Sequence, residues 1–209
     1  MTSALPLDAR HDRTHLPHVL RMGAGLGLLQ SVLITLFGFL QPRLDGTLEL
    51  LICGAILVIG VAATIALPGL WTGARTIEGI AGAAGIGLMA TVVFLVIDVA
   101  LLQRIGLWTN RWHEIGGGSN WWYHPVWWMT GTLMPWLGAW VLANQTAKTG
   151  SPSPVALVLG TLFFAVVIAA AAALLGFPGA RVGLGTFGVA VLPALALMTA
   201  LSAIGVPRR

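Results

Sequence analysis

Gly79–Leu102 reads GIAGAAGIGLMATVVFLVIDVALL, a 24-residue run with one charged side chain, Asp98. That length and apolarity fit the roughly 20 residues with which an α-helix crosses a bilayer. Working outward, five comparable segments occupy about Val19–Leu40, Leu48–Leu67, Pro125–Ala143, Val155–Leu175 and Val182–Ile204. No strand pattern interrupts them. The expected fold is therefore an all-α, polytopic membrane protein, a six-transmembrane-helix bundle with a Trp-rich loop between helices 3 and 4. One membrane domain over residues 19–206 would follow a polar tail (1–18) and precede a basic C-terminus (207–209).

Composition agrees. Of 209 residues, 57% are hydrophobic and 9% charged, where a soluble domain carries about 25% charge. Mean hydropathy is +0.89. The 11 Lys and Arg residues and the net charge of +4 do not point to nucleic acid, because the basic residues sit singly at segment ends. With the N-terminus cytoplasmic, Arg10, Arg13, Arg21, Arg75, Lys148, Arg208 and Arg209 lie inside, and Arg43, Arg104, Arg111 and Arg181 outside. Seven against four favours both termini in the cytoplasm of a bacterial-type inner or plasma membrane.

The tail lacks the basic start, short apolar core and small-residue cleavage site of a removable signal peptide. His11, His15 and His18 share a helical spacing, but Pro17 disfavours helix at Leu16, so the tail reads as solvated. Cys53, the single cysteine, reads as a small packing residue.

Small residues recur at three- or four-residue spacing in Gly23/Gly27, Gly79/Gly82/Gly85, Ala83/Gly87, Gly179/Gly183 and Gly185/Gly188. Such faces let helix backbones approach in lipid, and packing within one chain is the expectation. Leu67–Arg75 (LPGLWTGAR) and Phe177–Gly183 (FPGARVG) echo each other at corresponding places in two three-helix halves. An inverted repeat would produce that echo. So would ordinary helix stop signals, in which case segment two ends at Pro68-Gly69.

Chemistry concentrates in Trp108–Trp140, which holds eight of the nine tryptophans and the single tyrosine. Asp98 lies just before it. An intramembrane carboxylate is costly and faces the bundle or a wet cavity; Arg104 or Arg111 could reach it. Should the protein be an enzyme, Asp98, His113, Glu114 and His124 are the candidate acid–base residues, acting on a lipid or isoprenoid. Their spacing matches no metalloprotease motif, and neither a metal site nor a cofactor is read from it. Trp108, Trp112, Trp121, Trp122 and Trp127 suit an interfacial belt. Trp128, Thr132, Trp136 and Trp140 recur every fourth residue and form one stripe on a helix that Gly131 and Pro135 could kink.

The leading expectation is a non-enzymatic membrane protein that binds or transports a small hydrophobic, aromatic or cationic ligand. Its outward-facing site would comprise Asp98, Trp112, His113, Trp122, Tyr123, His124, Trp128, Thr132, Trp136 and Trp140. The alternatives are the enzyme above and an accessory transmembrane subunit of a larger energy-transducing or pigment complex. Partners would then be the bilayer, the ligand and other membrane subunits or a second copy, but not nucleic acid.

Overall fold

The computed structural model describes residues 13–107 and 123–206, the side chains of 123–125 excepted. Within them lie six long helices and no strand. These are α1 (Leu16–Leu40), α2 (Gly46–Thr72), α3 (Ile77–Ile97), α4 (Tyr123–Thr149), α5 (Pro154–Leu174) and α6 (Leu184–Ala203). A 3-10 turn, Gln41–Arg43, follows α1, and a π-helical turn, Asp98–Leu102, prolongs α3. Five helices are long and apolar enough to cross a membrane; α4 is the exception. Its 27 residues are ample length, but tryptophan, threonine, glycine and Pro135 dilute its aliphatic content.

Local signals set most boundaries. Thr76 and Ser153 cap α3 and α5, each accepting a backbone N–H three residues on, which satisfies a donor the helix cannot. Pro17 does not exclude Leu16 from α1 as the sequence suggested. It occupies the first turn, where no intrahelical N–H bond is lost. The other revision is at α2, which runs through Pro68-Gly69 and stops at Gly73. Gly73 takes a left-handed φ of 63°; Ala74 N donates to Gly69 O and Gly73 N to Leu70 O. That pair of bonds is the Schellman motif. In α5 the same motif closes on Gly176, before Pro178. The two echoing segments therefore differ: one Pro-Gly is inside its helix, the other beyond it.

Named contacts fix the helix directions. Gly23 lies against Ile86 and Met89, and Gly27 against Ala90 and Val93, so α1 and α3 run parallel. Gly87 meets Gly131 and Pro135, and Phe94 meets Trp127 at 4.8 Å between centroids; α4 thus runs antiparallel to α3. Gly69 approaches Ala139, and Gly138 approaches Ile65, which sets α4 parallel to α2. Gln30 Nε2 donates to Thr64 Oγ1 at 3.0 Å, tying α1 antiparallel to α2. On the far side Asn144 Nδ2 donates to Ser202 Oγ at 2.9 Å, and α6 lies parallel to α4. Gly160 against Met198 completes the α5–α6 hairpin.

The result is a bundle in which α4 touches α2, α3 and α6. The starts of α1, α3 and α5 share one end with the finishes of α2, α4 and α6. Arg13, Arg21, Arg75 and Lys148 are at that end; Arg43, Arg104 and Arg181 are at the other. Residues 13–18 are not a free tail either. Arg13 N donates to Thr72 O at 2.8 Å, and His18 Nε2 lies 3.1 Å from Trp71 O.

Candidate functional site

The site is built where α3 ends. Asp98 is 0% exposed, within a turn whose neighbours Phe94, Leu95, Ile97 and Leu102 form an apolar cluster with Ile34, Leu107 and Trp127. A carboxylate there loses several kcal/mol of hydration on burial. The backbone supplies part of the compensation. In the π turn Gln103 N donates to Asp98 O at 2.9 Å, an i→i+5 bond that carries residue 103 round to sit over residue 98. Gln103 Nε2 then donates to Asp98 Oδ2 at 2.6 Å. A hydrogen bond to a charged group contributes about 1.5–3 kcal/mol, short of the cost of burial. Gln103 is accordingly not Asp98's only partner. Of the two arginines expected to reach it, Arg104 is exposed, and Arg111 lies outside the described residues.

Beyond Gln103 the chain turns back over α1. Leu107 N donates to Leu102 O at 3.1 Å, and the Leu107 side chain rests on Gly38. An added Cβ would meet Leu107 Cγ at 3.0 Å, so the leucine side chain would have to shift by a few tenths of an ångström. Leu107, the last residue before the Trp-rich segment, thus lies over the end of α1.

The aromatic stripe is on α4 as its spacing implies. Trp128 and Trp136 are 38% and 39% exposed. Trp136 meets Trp140 edge-on at 6.4 Å, and Trp140 leans on the Ala74, Ile80, Ala83, Ala139 and Ala143 cluster. Thr132 is half-buried between them. The stripe faces outward along the bundle; Asp98 faces inward. Between α3 and α4 an open apolar groove of about 440 Å³ is lined by Val92, Leu95, Val96, Val99, Ala100 and Trp128. Asp98 and two lining residues, Val99 and Ala100, belong to the same π turn, which presents one face to the core and the other to the groove.

Pro135 explains how α3 and α4 come so close. Lacking an N–H, it cannot bond the Gly131 carbonyl one turn back. That carbonyl lies against Gly87, where only a residue without Cβ allows the approach and a Cα–H can face the oxygen. Gly131 itself sits on Thr91, whose hydroxyl donates to Gly87 O at 2.9 Å.

Several site residues named from the sequence cannot be placed. Trp112, His113, Glu114 and Trp122 lie outside the described residues. Tyr123 and His124 open α4, with their side chains likewise outside. Among the described residues no three His, Cys, Asp or Glu side chains come together as a metal site. Sequence reasoning missed Gln103, for which a polar residue five positions after the acid was the only signal. Trp127, read from the sequence as part of an interfacial belt, packs its ring on Phe94. No family model, curated protein or solved structure matches this chain.

Proposed function

We propose that this is a six-span membrane protein, with both termini cytoplasmic in a bacterial-type inner or plasma membrane. It binds or transports a small hydrophobic, aromatic or cationic ligand at the outer ends of α3 and α4. The supporting observation is Asp98: a fully buried carboxylate, held in a π turn, ten residues before the segment richest in tryptophan. Buried intramembrane acids mark ligand, ion or proton sites, and π turns recur at functional positions. Trp127 packs in the cluster around the Asp98 turn; an indole face attracts an organic cation, and Asp98 would supply the opposite charge. Contacts of α4 with α2, α3 and α6 support its crossing as the sixth span.

The test uses tetraphenylphosphonium, a lipophilic aromatic cation, with purified protein in detergent and equilibrium dialysis as the readout. Asp98→Asn should weaken binding at least tenfold, about 1.4 kcal/mol, while helical content and elution volume stay at wild-type values. Unchanged affinity in a folded Asp98→Asn protein would sink the reading.

A second reading, accessory subunit of a larger complex, draws on α5 and α6. Their connecting and facing glycines, Gly179, Gly183, Gly185 and Gly188, have open space where a Cβ would go. Stoichiometric co-purifying membrane chains after mild solubilisation would favour it.

A further inference from the structure

The groove between α3 and α4 looks away from Asp98, and its chemistry differs from that of the buried acid. Val92, Val96, Val99 and Ala100 descend one side of α3, with Leu95 behind them and Trp128 closing the other wall. Val96 and Val99 are 61% and 48% exposed. Beyond Ala100 the chain continues in a helical turn, with Ile105 N donating to Leu101 O. Arg104, one turn past Ala100, is exposed and has no ionic partner among the described residues.

We infer that this groove holds one acyl chain of an anionic glycerophospholipid, with Arg104 binding its phosphate. Length supports this. Ten residues separate Val92 from Leu102, where the π turn ends, about 15 Å at ~1.5 Å per residue, close to the half-thickness of a ~30 Å hydrocarbon core. A volume of about 440 Å³ falls in the range of roughly 300–1,000 Å³ that takes small ligands. Charge supports it as well: guanidinium binds phosphate bidentately, and an arginine at a helix end reaches the headgroup layer. A partner helix is the poorer occupant. Helix interfaces in lipid use small residues along the whole span, and this groove is short and walled by valine, leucine and tryptophan.

The experiment reconstitutes the full chain in phosphatidylcholine vesicles containing a minor fraction of lipid with a photoactivatable acyl chain. The headgroup of that probe is either phosphatidylglycerol or phosphatidylcholine. Peptide mapping should place phosphatidylglycerol adducts on residues 92–100 and Trp128, several-fold above those from phosphatidylcholine. Arg104→Gln should erase the difference between headgroups, and Arg104→Lys should restore part of it. Val96→Trp, filling the groove, should remove the adducts from both probes. Asp98→Asn should leave labelling unchanged, so that this site and the cation site fail or stand separately. Equal labelling by both headgroups with no response to Arg104→Gln or Val96→Trp would overturn the inference. So would adducts replaced by a crosslinked protein chain at Val96.

Discussion

The α1–α4 part of the bundle and the α5–α6 hairpin are both made of apolar helices, yet they are held together differently. In the first, backbones meet: Gly23 and Gly27 on α3, Gly87 and Gly131 across α3–α4, Gly69 and Gly138 across α2–α4. In the hairpin, side chains meet. Leu157, Ala165, Ala190, Val191, Ala194 and Leu195 pack with Val61, Ile65, Val141 and Leu142, while Gly183, Gly185 and Gly188 touch nothing. Burial follows the same division. In α3, 44% of the most apolar stretch is buried inside the protein, against 17% in α5 and 22% in α6. With lipid as apolar as the side chains themselves, close backbone approach and interhelical hydrogen bonds decide which helices hold tightly. Glycine spacing alone does not distinguish the two cases; the identity of the opposing residue does.

That contrast can be broken in graded steps. The largest effect should come from Gly138→Ala or Gly87→Ala. Each places a methyl against a backbone carbonyl, Ile65 O or Gly131 O, that cannot rotate away. Overpacking of this kind costs about 1–3 kcal/mol, read as a lowered unfolding midpoint in detergent; a midpoint within error of wild type would refute the backbone-contact account. An intermediate loss is expected for Asn144→Ala, which removes the α4–α6 bond to Ser202. Interhelical hydrogen bonds in membranes average about 0.6 kcal/mol, reaching ~1.7. A double-mutant cycle with Ser202→Ala measures the coupling directly. Least affected should be Gly188→Ala on α6, where the methyl enters open space. A shift within about 0.5 kcal/mol is predicted; a drop as large as that of Gly138→Ala would mean this face is packed in the purified protein.

Much of the fold was legible because lipid-crossing helices advertise themselves by length and apolarity, and five meet both criteria. Boundaries were less so. Pro68-Gly69 resembled a stop, but the helix ended where the first glycine free to turn left-handed, Gly73, could close the backbone bonds. The Gly23/Gly27 pair was read as contact and is one. Gly185/Gly188, three rather than four residues apart and equally a helical face, is not, since nothing in a chain's own pattern says what stands opposite. At the site, Asp98 stood out by charge. Its partner Gln103 was hidden because i+5 neighbours meet only in a π turn, which the sequence does not announce. Trp127 and Trp128 are adjacent and were indistinguishable by type, yet one ring packs on Phe94 and the other lines a groove.

The account depends most on α4, the helix with the least aliphatic sequence, which touches α2, α3, α5 and α6. If it crosses the membrane at the centre of the bundle, the residues after it lie opposite the α1–α2 turn. With Cys53 replaced by serine, single cysteines at Gln41 and Ser151 can be labelled in sealed vesicles of known orientation with a membrane-impermeant maleimide. Labelling of Gln41→Cys and Ser151→Cys from opposite sides is the predicted result. Labelling of both from the same side would contradict it.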